Sequence, residues 1–461
     1  MFAPRFIIFQ LVFWLSFPVF SADQDKLLTN VQEGWKLTQL LRVGDKLGNY
    51  RMVGAPDGLG AMLNPDGTLT ILMNHELAKD AGKVRSHQAE GAFVSQWTLD
   101  IEKLAITGGE DLIKQVNIWH PESRKYRTDH HYRFNRLCSA DLPSLSALYD
   151  ENSRTGFQGR LFMNGEEDRS GGRAFAHIVS GPMAGQSFEL PHMGKSAWEN
   201  IVLNPKSQRK TIALGMDDSP GGQVYMFVGE KRADGNPIER AGFSNGVLYG
   251  LKRDGNTFSW HSFGDVSAWS GEQLEKAGQQ AGVVNFMRPE DGVWDTRNPN
   301  IFYFATTDKI DGTSQLFQLR FEDISAPEKG GQIQTVLNAR DIGAQMFDNI
   351  TVASDGTLLI EEDPGDNPYM AGIWQFNPMT GKAVKVVSVS EQAFKNQSSQ
   401  EFLTQDEENS GIIEVTDLLR KASWFKEGHR YYLGALQIHA KSADIELVED
   451  GVLYLLEQQK Q

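Results

Sequence analysis

Residues 60–76, "GAMLNPDGTLTILMNHE", place two short apolar runs on either side of a turn rich in Asn, Pro, Asp and Gly, and the second run ends in polar and acidic residues. Two apolar runs flanking such a turn predict an antiparallel hairpin. The same pattern returns in "ENIVLNPKSQRKTIALGMDD" (199–218), "PEDGVWDTRNPNIFYFATTD" (289–308) and "DNITVASDGTLLIEED" (348–363). A shorter form, "GRLFMNGEED" (159–168), keeps the second strand with its acidic end, and a closing strand, "DGVLYLLEQ", lies near the C-terminus. Repeated four-stranded antiparallel units at irregular spacing are the mark of a β-propeller with insertions. Five internal copies and a terminal one predict an all-β, six-bladed β-propeller with inserted loops and short helices. Two polar stretches, 270–283 and 389–410, have no matching strands and read as surface insertions.

The hairpin geometry gives the acids a common address. The start of the first strand lies beside the end of the second, so acids at both places share one edge of a blade. The starts carry Asp57, Glu199, Glu290 with Asp291, and Asp348 with Asn349; the ends carry Asn74, His75 and Glu76, then Asp217 and Asp218, then Asp308, then Glu361, Glu362 and Asp363. Radial symmetry gathers these edges at one mouth of the central channel. About a dozen carboxylates converging there cannot all ionise unpaired, so cations must balance them. The competing reading has each acid capping a turn on a solvated face, and independent surface acids have no reason to hold register across four blades. Oxygen ligands suit calcium, and a dense carboxylate site with a thiolate suits iron or another transition metal.

Composition narrows this further. At 461 residues the chain exceeds one ordinary domain, a length that a repeat-built fold accommodates. The formal net charge of −15 argues against nucleic acid and anionic lipid as partners. "MFAPRFIIFQLVFWLSFPVFSADQ" has Arg5, an apolar run, Pro18 and then small residues, which predicts a signal peptide over 1–22 cut after Ser21 or Ala22. No twin-arginine pair precedes the run, so the expected export is of the Sec type to the periplasm or medium, with one propeller domain over 23–461 and no stable membrane insertion after cleavage. Cys138 is the only cysteine, so no disulfide within the chain holds the fold, and a lone thiol in an oxidising compartment is either buried or coordinated.

Other motifs carry less. "GFSNG" (242–246) matches the Gly-x-Ser-x-Gly nucleophile pattern, but an apolar strand follows Ser244 where that motif needs a helix. His130 and His131 read as surface histidines.

Several of these segments resemble the PhoX-type alkaline phosphatases, a family of secreted, metal-dependent six-bladed propellers. The likeness runs in order through "MNHE" (73–76), "NRLCSADLP" (135–143), "GEED" (165–168), "AWENIVLNP" (197–205), "GMDDSPGGQVYMFV" (215–228), "RPED" (288–291) and "FDNITVASDGTLLI" (347–360). It implies that Cys138 with Glu166 or Glu167, Glu199 and Glu290 hold ferric ions. It further implies that Asp217, Asp218, Asp291 and Asp348 serve calcium; Arg288, next to Glu290, is the expected phosphate clamp because its guanidinium matches two oxygens, so that Cys138, Arg288 and Glu290 form the expected catalytic group. The expectation is a monomeric, calcium-dependent phosphomonoesterase acting on small phosphate esters. Two alternatives keep the propeller: a lactonase or esterase using one calcium, and a non-catalytic binding propeller that calcium only stabilises.

Overall fold

The computed structural model describes residues 27–460 apart from 170, so the expected signal peptide lies outside the described residues. Among the described residues, six antiparallel or nearly antiparallel blades surround one channel. Blade one comprises Pro56–Leu63, Leu69–His75, Phe93–Asp100 and Ala105–Asp111. Blade two has Leu161–Gly165, Ala174–Ile178 and Gln186–Glu189, then Gln115–His120 added in parallel and Lys125–Asp129 outside it. Blade three starts with Trp198–Leu203 and blade four with Pro289–Trp294, and their outer strands join through Phe258 and Gly331 into one nine-stranded sheet. Blade five starts with Phe347–Val352 and adds Leu28–Asn30 at its rim.

Blade six corrects the reading of the 389–410 stretch. That segment holds a short helix, Glu391–Phe394, but it runs directly into the inner strand Glu407–Glu414, whose first six residues are buried. The strand "EENSGIIE" is polar because it lines the channel, so it lacks the apolar signature of the other copies. The 270–283 stretch behaves as expected: Gly271–Ala281 is a helix, closed at its start by a Ser270–Gln273 capping box and at its end by Gly282 at φ +71°.

The strand Trp35–Arg42 pairs with Asp450–Gln458, so the two ends of the chain share blade six. That pairing closes the ring by making blade six from both an early and the last strand of the described residues. Apolar packing lies between the blades. Each of the six interfaces has its own cluster, such as Met163, Leu161, Trp198 and Tyr225 between blades two and three, or Leu41, Trp97 and Leu453 between six and one. Trp198 is fully buried, and truncation to Ala would cost about 3–5 kcal/mol.

Candidate metal centre

The inner strands share a backbone device. Blades one, three, four and five each carry a β-bulge just after the strand begins, between Pro56 and Leu59, Trp198 and Ile201, Pro289 and Gly292, and Phe347 and Ile350. A bulge re-aims side chains that strict alternation would send to opposite faces. In blade two the equivalent inner segment is 137–141, held by the bridges Leu137↔Glu166 and Asp141↔Met163. The residue two places upstream is in the left-handed region in four blades: Ala55 (φ 48°), Arg136 (φ 44°), Arg288 (φ 38°) and Met346 (φ 34°). Non-glycine residues held there cost of order 1–3 kcal/mol each, and such strain clusters at functional sites. Gly58 is required by closeness alone, because a Cβ there would lie 2.5 Å from the Ala140 backbone nitrogen.

This register yields two stacked rings. The second residue of each inner strand forms the first: Asp57, Cys138, Glu199, Glu290, Asp348 and Glu408, in blade order. The residue after the one paired with each inner strand's first residue forms the second: Glu76, Glu167, Asp218, Thr307, Asp363 and His439. All of the first ring, together with Glu76, Glu167, Asp218 and Asp363, lines a single cavity at the channel mouth, and Arg136 and Arg288 are its only cationic walls.

Within the cavity, ligand atoms of four groups come within 4.8 Å of one another: Asp57, Glu76 and Cys138; Cys138, Glu167 and Glu199; Glu199, Asp218 and Glu290; and Asp348, Asp363 and Glu408. The first three groups form a chain through Cys138 and Glu199, while the fourth stands apart and is all carboxylate. A thiolate among carboxylates suits a transition metal, and an all-oxygen set suits a hard cation such as calcium. The donor set thus fits the two kinds of metal that the family resemblance implies.

Electrostatics point the same way. Burial, then Glu76, Glu199 and Glu167, pushes the Cys138 thiol well above its ordinary value. Burial and Asp218 do the same to Glu199 and Glu290, and burial with Glu290 to Asp348. Burial lifts Glu167 to about 8 and Asp363 to about 7. Glu76 is the exception: against the cost of burial, the Arg136 guanidinium at 2.6 Å holds its carboxyl below the ordinary value. Asp57 Oδ1 is buried without a hydrogen-bond partner. So many buried acids demand more positive charge than the two arginines and His439, which pairs with Glu408 and Glu449, supply.

Arg136 bridges Glu76 and Glu167. Arg288 forms a fork to Asp218, with Nε and Nη2 each 2.8 Å from a carboxylate oxygen, and its Nη2 is 3.3 Å from Glu290. The Cys138 thiol lies 3.3 Å from Glu167 Oε2.

Of the expected ligands, Cys138, Glu167, Glu199, Asp218, Glu290 and Asp348 converge on the cavity, and Arg288 and Glu290 stand together there. Three others turn away. Glu166 is held by the Tyr132 hydroxyl at 2.7 Å and the backbone N–H groups of Asn135 and Arg173. Asp217 accepts from Ser219 Oγ at 2.9 Å and closes its own turn. Asp291 points down the channel, accepting the Ile350 N–H at 3.1 Å and a bond from Asn200. Each belongs to an adjacent acid pair, and neighbouring residues of a strand face opposite ways. Asp308, at the expected hairpin end of blade four, is one residue out of register; Thr306 pairs with Pro289, so Thr307 takes the ring position.

Glu408 and Arg136 escape sequence reading. Glu408 sits in the polar strand taken for an insertion, and Arg136 lies in an inner segment joined to its blade only by isolated bridges. A signal did exist: "FDN", "WEN" and "EEN" share an acid before Asn at the start of an inner strand.

Fold and centre together define a six-bladed β-propeller with a carboxylate-and-thiol pocket at one end of its channel. The alkaline phosphatase PhoX family profile matches residues 182–416, more than half of the 461, and the chain belongs to that family of phosphate-ester hydrolases. Among solved structures, PhoX of Pseudomonas fluorescens, in complex with the transition-state analogue vanadate, superposes with a TM-score of 0.63 at 11% identity, covering 94% of this chain and 96% of that one. Weaker likenesses are a Trypanosoma rangeli sialidase mutant displaying trans-sialidase activity (TM-score 0.34, 10% identity, 93% and 59% covered) and Sqt1 of Chaetomium thermophilum (0.37, 10%, 92% and 98%). No curated protein matches the chain.

Proposed function

We propose that the protein is a calcium-dependent phosphomonoesterase that releases phosphate from small organic esters, with calcium and ferric ions held in the two-ring pocket. The observation that carries this reading is the pair of rings themselves: ten acidic or thiol side chains on six blades share one cavity with two arginines. Cys138, Glu76, Glu167, Glu199 and Glu290 would hold the transition-metal part, and Asp348, Asp363 and Glu408 the hard cation; Asp57 and Asp218 complete the adjoining groups. Bound cations would supply Lewis-acid attraction for the phosphate oxygens and lower the pKa of a bound water.

The chain's own residues supply orientation. Arg288 is the best-placed phosphate clamp, since its planar fork, one-third exposed, already spans the two oxygens of Asp218 and matches two oxygens of a phosphate equally well. Arg136, anchored on both Glu76 and Glu167, holds the acids around Cys138 in place and tempers their repulsion. Most of the acids are buried, which strengthens the charge interactions among them.

Among the described residues, no helix is long and apolar enough to cross a membrane. We place the enzyme in the periplasm or medium on the strength of the N-terminal apolar segment, with metal loaded after Sec-type export.

The test is elemental analysis of protein purified without chelator, beside hydrolysis of a chromogenic phosphomonoester with and without calcium. Iron and calcium together, with activity lost in chelator and in Glu290→Gln, is the expected result. Calcium alone without hydrolysis would leave a metal-stabilised binding propeller, and a fully metallated, active Glu290→Gln protein would remove Glu290 from the centre.

A further inference from the structure

The second ring lacks an acid at two places: His439 in blade six, which is ion-paired with Glu408 and Glu449, and Thr307 in blade four. At blade four the second ring offers Thr307, whose hydroxyl is buried at 2% exposure without a hydrogen-bond partner. At blades one, two, three and five the equivalent position is a carboxylate. Beside Thr307 a cleft of about 550 Å³ opens outward, its apolar side formed by Pro220, Met287, Ile310 and Met346 and its polar side by Asp308 and Asn367, with Arg288 as the wall it shares with the metal centre. Met287 is 48% exposed, one of few large apolar side chains on the surface, and lies directly before Arg288 in the chain. Lys309 stands at the rim.

We propose that this cleft is the leaving-group subsite: it receives the organic part of a phosphomonoester, and it favours a compact apolar group such as an aryl ring. The inference rests on the phosphatase reading of the metal centre. A phosphate dianion approaching the mouth is repelled wherever a second-ring carboxylate faces it; His439 is taken up by Glu408 and Glu449, whereas at Thr307 two cations, Arg288 and Lys309, stand beside the single acid Asp308. An ester whose phosphate lies against Arg288 therefore extends its leaving group over Thr307 toward Met287, Ile310 and Met346. Those side chains offer apolar contact, Met adapting readily to ring edges. The Thr307 hydroxyl is free to donate to the ester oxygen or to a polar substituent on the group. Polyanionic leaving groups gain nothing from such walls.

The experiment uses the full metallated protein and the double variant Met287→Ala with Ile310→Ala, both side chains being at least partly exposed and so removable without unmaking the core. Two readouts are taken: kcat/KM for phenyl phosphate against glycerol 2-phosphate, and calorimetric affinity for phenylphosphonate against methylphosphonate, with metal content measured alongside. The expected result is a wild-type preference for the phenyl compounds in both readouts that shrinks about tenfold in the variant at unchanged metal content, the scale set by losing apolar contacts in a binding pocket. Preferences identical in wild type and variant would overturn the subsite and leave the phosphatase reading standing. A wild-type protein that hydrolyses neither ester and binds neither phosphonate would overturn both.

Discussion

Two sectors of the mouth use the same backbone device to different ends. In blade two, Arg136 precedes Cys138 by two residues with positive φ and reaches back to Glu76 of blade one; in blade four, Arg288 precedes Glu290 by two residues with positive φ and reaches back to Asp218 of blade three. Each arginine thus bridges neighbouring blades at the same height. What differs is the surrounding second ring. Arg136 is flanked by carboxylates and a thiol, so its charge is consumed in holding them. Arg288 is likewise paired, with Asp218 and Glu290, but Thr307 and an open cleft lie beside it where Arg136 has only acids and the thiol. Repetition supplies a scaffold that repeats charged groups from blade to blade, and on the proposed function a single second-ring position then separates a metal-holding sector from a substrate-facing one.

Glu199 is where the sectors join, since it belongs both to the Cys138 group and to the Glu290 group. Glu199→Gln therefore breaks both at once. The expected outcome is loss of bound metal and a fall in kcat of at least about a thousandfold, read by elemental analysis and turnover, given the several kcal/mol that metal stabilisation of transition-state charge supplies. Retention of full metal content would mean the two groups are filled independently.

The arginines separate the sectors. Arg288→Lys keeps the charge but loses the fork, and kcat/KM should drop roughly a hundredfold, on the scale of one charge-assisted hydrogen bond lost in the transition state. Arg136→Lys should lower kcat/KM less than tenfold while shifting metal affinity and melting temperature. Equal kinetic effects from both would erase the distinction drawn between the sectors.

The smallest effect is on stability in chelator. Burial holds Glu166 and Asp363 at about 7 and Glu167 at about 8, all above the ordinary value, so the metal-free folded protein binds protons that the unfolded chain releases. That contribution is complete below the unfolded pKa and is lost as pH rises through the folded values. The melting temperature of chelated protein should therefore fall by a few degrees between about pH 5 and pH 9, and added calcium should restore it most at the alkaline end. A melting temperature that climbs with pH in chelator would show that these acids are ionised without metal.

Much of this was legible along the chain. The hairpin copies name five blades and the edge on which their acids lie, because strand periodicity and turn chemistry are local. They put Glu199, Glu290 and Asp348 on the edge that lines the cavity, the resemblance adds Cys138, and adjacency to Glu290 points to Arg288. Where acids come in pairs the local signal stops. Glu361, Glu362, Asp363 and Asp366 look alike in sequence. In the fold, Glu361 turns down the channel to the Tyr454 hydroxyl, Glu362 receives Tyr369 and the Gln345 N–H, Asp363 joins the ring, and Asp366 faces solvent.

By itself the sequence determined the blade repeat, the acidic character of one edge and a lone thiol with nothing to pair with, all of which follow from residue type and spacing over a few tens of residues. Only the tertiary structure decided which acid of each pair faces the cavity, that "EENSGIIE" is an inner strand, that Cys138 takes blade two's place in the ring, and that Thr307 leaves a gap. Those outcomes depend on bulges, on isolated bridges such as Leu137↔Glu166 and Asp141↔Met163, and on closure by Trp35–Arg42 against the C-terminal strand. No window of the chain contains them, because each side chain's direction is set by a partner strand that the sequence brings in from elsewhere.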